Sequence, residues 1–232
     1  MKLYIEDLTF KYRWDDIYIF DSFNHVFEGP WLHVILGPNG VGKTTLLKLV
    51  AGVLNPLRGS ISLEGGLLGR GDVSYVPQDN ELLPWLSVYA NVELPLRITG
   101  VNGNERRLRV LEALKSMEVL GYANRYPKHL SGGERKRVAL ARALASNSKI
   151  VLLDEPTANL DPGSRKLLWG YLKSLARSRL ILVVTHNLGE ALLEGGLIHI
   201  LTGRPARVVE VFEGGEEAWS RLRRVMGYYK LS

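Results

Sequence analysis

The sequence of 232 residues contains no cysteine. This absence excludes a disulfide framework, a thiolate nucleophile and a cysteine-ligated metal site. Long apolar runs are absent too, because the run from Leu180 to Val184 is far shorter than the ~18 to 20 residues that span a bilayer. Glu6 and Asp7 interrupt the first apolar residues, so we expect no signal peptide there. The expectation that remains is a soluble cytosolic protein, free to work at a surface.

An excess of charge of one sign is present but small. Lysine and arginine together number 30 and aspartate and glutamate 24, which gives a formal net charge of +6. This balance permits a nucleic acid, a nucleotide or an anionic membrane surface as partner and demonstrates none of them. Hydrophobic residues make up 46% of the chain, which is enough for a real core and argues against a disordered protein.

Short apolar runs alternate with helical patterns along most of the chain. The runs from Ile150 and Leu180 are almost continuously apolar, as strands of a buried parallel sheet are. We therefore predict an α/β fold with a mostly parallel sheet. The predicted strands are 3–10, 32–36, 73–76, 150–153, 180–184 and 198–201, and the predicted helices are 44–50, 105–120 and 161–177. In the helix 105–120, one face is predicted to carry Leu108, Leu111, Leu114 and Met117.

The middle and the end of the chain differ from this alternation. Residues 82–144 show helical patterns and no convincing strand, so we interpret them as a helical subdomain inserted into the α/β core. Residues 216–229 place Trp219, Leu222 and Val225 roughly on one face, with arginines between or opposite them. This pattern predicts a C-terminal helix that either docks on the body or lies on a membrane surface.

A glycine-rich stretch follows the predicted strand 32–36 and precedes the predicted helix 44–50. It fits the pattern G-x-x-x-x-G-K-[ST], which cradles phosphates in this strand–loop–helix context. Its glycines let backbone N–H groups turn towards a phosphate, and the helix N-terminus adds its dipole. Lys43 supplies charge to the β- and γ-phosphates, and the Thr44 hydroxyl can bind Mg²⁺. The predicted phosphate-binding residues are Gly37, Pro38, Asn39, Gly40, Val41, Gly42, Lys43, Thr44 and Thr45.

Two acids, Asp154 and Glu155, close the predicted strand 150–153. The carboxyl ends of strands are where α/β folds place ligands. Together with a phosphate-binding loop, this position suits Asp154 to holding the Mg²⁺ shell. It suits Glu155 to polarising the attacking water as a general base.

The string Leu-Ser-Gly-Gly-Glu at 130–134 supports two compatible interpretations. Its serine and glutamate have the spacing of a capping box that begins a helix. A helix N-terminus that exposes glycines is also an anion site. Two glycines are an odd choice for capping alone, so they suggest the close approach of a ligand. The residues concerned are Ser131, Gly132, Gly133 and Glu134.

The sequence resembles the ATP-binding subunit of an ABC transporter. The resemblance is carried by four features in the order of that family: the phosphate loop, the Leu-Ser-Gly-Gly-Glu string, the acid pair and a histidine after the strand 180–184. The resemblance extends over essentially the whole chain. It implies a P-loop core with a mostly parallel sheet, an N-terminal antiparallel β portion and an inserted helical subdomain. In a single domain spanning 1–232, the core is then 1–81 and 146–215, the helical subdomain 82–145 and the C-terminal helix 216–232.

The resemblance implies roles for residues outside these motifs. Tyr12 is similar to the aromatic residue that stacks on adenine, and His186 to the histidine that contacts the γ-phosphate. The segment 158–161, Ala-Asn-Leu-Asp, is similar to the D-loop, whose Asp161 contacts the opposite subunit, although Asp161 also has the position of a helix cap. Gln78 is similar to the glutamine that reaches Mg²⁺ and the attacking water. The implied metal ligands are Thr44, Gln78 and Asp154, and the implied catalytic residues are Lys43, Gln78, Glu155 and His186.

The resemblance also implies ATP and Mg²⁺ as cofactors and several partners. Subunits of this family pair head to tail, so each ATP lies between Lys43 of one chain and Ser131 of the other. The expected partners are a second, identical ATP-binding subunit, integral membrane permease subunits and a substrate-binding protein. No nucleic acid partner is expected. The expected location is cytoplasmic, at the inner face of the cell membrane.

A narrower similarity, carried by Leu-Leu-Pro-Trp at 82–85 among other segments, is to importers of the nitrate, sulfonate and taurine group. It favours import over export. The alternative function is that of a soluble ABC ATPase in repair, translation or assembly. The basic charge permits this alternative, whereas the lack of an interrupting coiled coil and of a second ATPase copy counts against it.

Overall fold

The computed structural model describes residues 1–69, 71–79, 82–158, 160–194, 196–215 and 217–229. Asn159 of the predicted D-loop, and Glu216 and residues 230–232 of the predicted C-terminal helix, lie outside the described residues. Contacts divide the chain into two compact units: a first unit of Met1–Leu68 and Leu175–Ser232, and a second unit of Gly69–Ser174. In the described part of the chain, no helix combines the length and the apolar character needed to cross a membrane.

Three strands precede the first helix, and further strands and helices follow it along the chain. In order they are β1 (Lys2–Phe10), β2 (Phe20–Glu28), β3 (Trp31–Leu36), α1 (Lys43–Val50), β4 (Arg58–Leu63), β5 (Gly66–Leu67), β6 (Val73–Val76), α2 (Val88–Ile98), α3 (Gly103–Ser116), α4 (Gly132–Ala145), β7 (Ile150–Asp154), α5 (Pro162–Leu175), β8 (Leu180–Val184), α6 (Leu188–Glu194), β9 (Leu197–Thr202), β10 (Arg207–Glu213) and α7 (Ala218–Tyr229). Short 3₁₀ turns at Leu120–Tyr122 and Pro127–His129 precede α4.

The first unit contains an antiparallel sheet with the strand order β2-β1-β4-β5. Leu3 of β1 lies opposite Phe27 of β2 and Leu63 of β4, and all three side chains are buried. The first unit also contains parallel strands, because β3 pairs in parallel with both β8 and β9, and β10 adds to β9 in the antiparallel sense. All five residues of β8 are buried, as the continuous apolar run predicts.

Three histidines connect the two groups of strands in the first unit. His33 donates from Nε2 to the Glu28 carbonyl (2.8 Å), which makes its Nδ1 an acceptor for His199 Nε2 (2.8 Å). His199 Nδ1 in turn accepts from His25 Nε2 (3.0 Å). The three neutral rings thus form one chain of hydrogen bonds with a fixed direction, assigned from the network. Burial lowers the pKa of His25 and of His33 to about 4 and that of His199 to about 2.

The second unit contains the parallel pair β6 and β7 and the helices between them. Helices α2, α3 and α4 pack on one another and bury Val92, Val110 and Val138, one from each helix. Residues 82–145, all of them described, contain no strand, in agreement with the helical pattern of this segment. Their assignment as a subdomain inserted into a single domain stays a prediction.

The predicted α/β class, with parallel strands and an antiparallel N-terminal portion, is confirmed. The predicted face of the helix 105–120 is wrong, because Leu108 is exposed whereas Val110, Ala113 and Leu114 are buried. Along an α-helix, each step of three residues falls ~60° short of a full turn. Leu108 and Met117 are therefore separated by about half a turn and cannot share a face.

Candidate active site

The loop between β3 and α1, in the first unit, depends on glycine. Gly42 has a φ of 112°, in the left-handed region that favours glycine. A Cβ at this position would collide with Ile19 and approach the ring of Phe20. Because Gly42 has no side chain with which to cap α1, the N–H groups of the first helical turn need another acceptor, and an anion is a suitable one.

Lys43 begins α1, and its side chain folds back over the loop. Its Nζ donates to the carbonyl oxygens of Gly37 (2.7 Å) and Pro38 (3.0 Å), and the residue is only 7% exposed. Buried charges persist in proteins when they are hydrogen-bonded in this way. The ammonium group is therefore held against the loop, and the next residue in the chain, Thr44, is half-buried.

Tyr12 follows β1 and lies near the start of α1. Its hydroxyl is 3.3 Å from Oγ1 of Thr45, a buried residue in the first turn of α1. Its ring stacks on Trp14 with 4.9 Å between ring centroids and an interplanar angle of 13°. Trp14 is 82% exposed, so the stack ends in an open aromatic face close to the phosphate loop.

His186 comes two residues after β8 and is exposed. Its strand is the parallel neighbour of β3, with Ile35 opposite Val184 near the carboxyl ends of both strands. The loop that leads to Lys43 and the segment that leads to His186 therefore leave the first unit at the same sheet edge.

In the second unit, Asp154 ends the buried strand β7 and Glu155 follows it directly. Asp154 is 1% and Glu155 8% exposed. Glu155 has a φ of 48°, a left-handed conformation that costs about 1 to 3 kcal/mol for a residue other than glycine. Such strain persists only where the surroundings enforce the conformation, and it concentrates at functional sites.

A buried lysine that the sequence motifs do not indicate contacts this turn. Lys136 of α4 donates from Nζ to the carbonyl oxygen of Glu155 at 2.6 Å. Desolvation lowers the pKa of Lys136, while the carboxylates of Glu155, Asp154 and Asp79 act in the opposite direction. Helical periodicity could have indicated that Lys136 is buried, because it lies on the same helix face as the buried residue Leu140, four positions later.

The predicted capping box at the start of α4 is confirmed. Ser131 Oγ accepts a hydrogen bond from the Glu134 N–H (3.2 Å), and the Glu134 carboxylate accepts one from the Ser131 N–H (2.7 Å). This N–H contact, followed by that of the Tyr122 hydroxyl, lowers the pKa of Glu134. A Cβ at exposed Gly132 would meet nothing within 4 Å, so this chain by itself does not require glycine there. The Ser131 O–H can still donate to a ligand.

Gln78 lies two residues after β6 and is exposed. Because β6 and β7 are parallel neighbours, Gln78 and the acid pair leave the second unit at the same edge. Gln78 also lines a groove of about 840 Å³, together with Leu82, Leu83, Trp85 and Arg135 among other residues. Trp85 is 70% exposed in this groove.

Asp161 caps α5, as its position in the sequence allows. Its carboxylate accepts hydrogen bonds from the N–H (3.0 Å) and the hydroxyl (2.6 Å) of Ser164. These contacts lower the pKa of Asp161. Its predicted contact with an opposite subunit stays a prediction.

Comparison with known proteins places this geometry in context. The family model for ABC transporters matches residues 22–158. An uncharacterised ABC transporter ATP-binding protein of Methanocaldococcus jannaschii is 37% identical over 218 residues, which cover 91% of this chain and 81% of that protein. The taurine import ATP-binding protein TauB of Rhizobium johnstonii is 40% identical over 184 residues, which cover 78% of this chain and 70% of that protein.

Two solved structures of MJ0796, a bacterial ABC transporter cassette, have a similar fold. The dimeric structure aligns with a TM-score of 0.82 and 31% identity, covering 92% of this chain and 99% of the cassette. A dimeric post-hydrolysis state with ADP and Pi aligns with a TM-score of 0.79 at the same identity and the same coverage of both chains.

Proposed function

The chain belongs to the ATP-binding subunits of ABC transporters and is an ATPase, and from this premise we propose that it drives substrate import through separate membrane subunits. The observation that carries the proposal is the groove of about 840 Å³ in the second unit, with Gln78 at its edge and an exposed Trp85. The similarity to taurine import proteins supports the direction of transport. In this role the protein works on the cytoplasmic face of the membrane.

We assign the triphosphate to the loop Gly37–Thr45. The charge of Lys43 offsets that of the β- and γ-phosphates, and the first N–H groups of α1 complete the cradle. Tyr12, with the exposed ring of Trp14 stacked on it, provides the stacking surface for adenine. His186, at the same edge of the first unit, contacts the γ-phosphate, because an imidazole can bind a phosphate oxygen through an N–H group.

We assign the activation of water to Glu155. Its carboxylate accepts the proton of the attacking water as the bond to the γ-phosphorus forms and the bond to ADP breaks. Gln78 orients the same water. Both residues follow neighbouring parallel strands of the second unit, which supports their joint action.

Thr44, Gln78 and Asp154 are the residues that would hold Mg²⁺. They offer a hydroxyl, an amide oxygen and a carboxylate, the hard oxygen ligands that Mg²⁺ prefers beside substrate phosphates. Asp154 is buried at the end of β7, which suits a fixed ligand or an anchor for bound water. The ion supplies charge compensation for the phosphates.

A second copy of the chain completes each site in this proposal. Its residues Ser131, Gly132, Gly133 and Glu134 approach the γ-phosphate, with Glu134 acting through the capping box and Asp161 at the interface. The open space at Gly132 supports this role, because the glycine leaves room for a phosphate beside a helix N-terminus. The dimeric state of the MJ0796 cassette supports the same arrangement.

The groove beside Trp85 is the surface that we assign to a cytoplasmic helix of the permease. The groove has both apolar lining residues, such as Leu82 and Leu83, and charged ones, such as Lys128 and Arg135. An exposed aromatic side chain in such a groove is a typical anchor for a partner helix. A substrate-binding protein is the third component in this proposal.

Affinity purification from the native membrane tests the proposal. The tagged protein should retain a hydrophobic permease, and Trp85→Arg should lose it because the substitution removes the exposed aromatic anchor. Leu67→Arg is the matched control, since Leu67 is 82% exposed in the first unit and should leave retention unchanged. Retention of the permease by Trp85→Arg, or its absence from the unsubstituted sample, would contradict the proposed docking.

A further inference from the structure

Lys136 lies on the buried side of α4, where the neighbouring side chains are apolar. It is 2% exposed, and its helix neighbours Val138, Ala139 and Leu140 are completely buried. Withdrawing an ammonium group from water is unfavourable, and an apolar residue of similar size often serves packing at least as well. Simple packing therefore does not explain a lysine at this position.

The contact that Lys136 makes is specific. Its Nζ lies 2.6 Å from the carbonyl oxygen of Glu155, a charge-assisted hydrogen bond, which is stronger than a neutral one. The same carbonyl accepts a second hydrogen bond from the Ala158 N–H at 3.3 Å. Both contacts fix the peptide group that follows Glu155, whose φ of 48° is left-handed.

We propose that Lys136 is a positioning residue for ATP hydrolysis, which holds the strained turn at Glu155 so that the carboxylate faces the attacking water. This inference rests on the proposed role of Glu155 as the base. Lys136 itself touches neither nucleotide nor water in this role. It acts through the backbone of Glu155, and its charge compensates the buried carboxylates of Glu155 and Asp154.

Loss of the contact should affect chemistry more than binding. Displacing a catalytic group by about 1 Å can reduce a rate by ~10²-fold. Lys136→Met keeps an unbranched apolar chain but removes the charge and the donors. We expect its kcat to fall by about 10- to 100-fold with little change in KM. Lys136→Arg, which keeps charge and donors, should recover part of kcat.

A double-substitution experiment separates positioning from a structural role. Lys136→Met is compared in the unsubstituted protein and in Glu155→Gln, with single-turnover release of γ-phosphate from ATP and urea unfolding as readouts. If Lys136 acts through the base, the loss in Glu155→Gln should be less than about twofold, because residues that act as one unit are not additive. Lys149→Met is the matched control, since the Lys149 side chain is 57% exposed and pairs with Asp72; it should keep the full rate.

Equal rate losses in both backgrounds would overturn the proposal, as would an unchanged kcat in Lys136→Met. If Lys136→Met does not fold, Lys136→Gln takes its place in both backgrounds, with the same criteria. Failure of the proposed function would look different. In that case Glu155→Gln would itself hydrolyse ATP at the unsubstituted rate, whatever residue stands at 136.

Discussion

Glu155 is buried, has a strained backbone and accepts a hydrogen bond from Lys136 of α4, and its carboxylate is the proposed base for hydrolysis. Glu155→Gln keeps the shape of the side chain but removes its capacity to accept a proton. We expect turnover to fall by ~10² to 10⁴, or roughly 3 to 5 kcal/mol of barrier. Nucleotide binding should persist because Lys43 is unchanged. Equilibrium binding of ATP measures the binding, and a phosphate-release assay measures the turnover.

The same variant reports on the dimer. With ATP bound and not hydrolysed, Glu155→Gln should accumulate as a dimer in size-exclusion chromatography, whereas ADP should not support it. Lys43→Ala is the contrasting variant, which should lose binding and turnover together because the charge facing the phosphates is gone. A monomeric Glu155→Gln protein in saturating ATP would contradict the shared-site arrangement and leave the assignment of the base intact.

At the residue scale, the features that could be predicted from the sequence are those that a short contiguous segment determines. The phosphate loop and the capping box are local, because their geometry follows from glycines and from a serine three residues before a glutamate. The contact of Lys136 could not be predicted because its partner, Glu155, is 19 positions away and contributes only a backbone oxygen. The stacking of Trp14 on Tyr12 could not be predicted because it depends on the path of the chain after β1.

At the scale of secondary-structure elements, the start of α4 has both a structural and a proposed functional role, and substitutions separate them. Ser131→Ala removes the cap and should lower the free energy of unfolding by about 1 kcal/mol. Ser131→Asp should keep the cap, since aspartate is an equally good N-cap residue. Its carboxylate would face the phosphate of the second copy, so ATP-driven dimerisation and turnover should be lost. Urea unfolding and size-exclusion chromatography measure the two effects.

Asn102→Ala is the control for capping alone. Asn102 caps α3 by accepting a hydrogen bond from the Glu105 N–H at 3.0 Å. The stability loss should match that of Ser131→Ala, with turnover unchanged at saturating ATP. Normal dimerisation of Ser131→Asp would remove the functional role assigned to the start of α4.

Element prediction succeeded for the parallel strands and for β1, and missed β2, β4 and β5 of the antiparallel sheet. In β2 the buried residues Phe20, Phe23 and Phe27 are spaced three and four apart, which is the spacing of a helix and hides the strand period of two. The cause is irregular pairing, since the register with β1 shifts on either side of Leu8. Such shifts depend on the partner strand, and the partner is not visible in a single segment of sequence.

At the scale of the molecule, the histidine chain makes stability depend on pH. His25, His33 and His199 have folded-state pKa values below the ordinary 6.5 because burial disfavours their charged forms. The unfolded chain therefore binds more protons below pH 6.5, and stability increases with pH there. We expect the free energy of unfolding to fall as the pH decreases from 6.5 to about 4, by at most about 1.4 kcal/mol per pH unit for each histidine.

Urea unfolding across this pH range measures the effect. His25→Gln should reduce the slope, because half-buried His25 can be replaced by a polar group that does not titrate. The matched control is His129→Gln at an exposed position in the second unit, which should leave the slope unchanged. A slope that is the same in His25→Gln and in the unsubstituted protein would show that the histidine chain does not titrate on unfolding.

Helix α4 carries Ser131 at its start and Lys136 five residues later, roughly 7.5 Å along the axis. In the proposed head-to-tail dimer, Ser131 would contact the nucleotide bound by the other copy, whereas Lys136 would fix the base that serves the nucleotide of its own chain. Because one helix of 14 residues carries both side chains, we expect a tilt at its start to reach the turn at Glu155 through Lys136. We therefore expect nucleotide occupancy at one site to influence hydrolysis at the other. In the proposed dimer, neither nucleotide should be hydrolysed until both sites are filled.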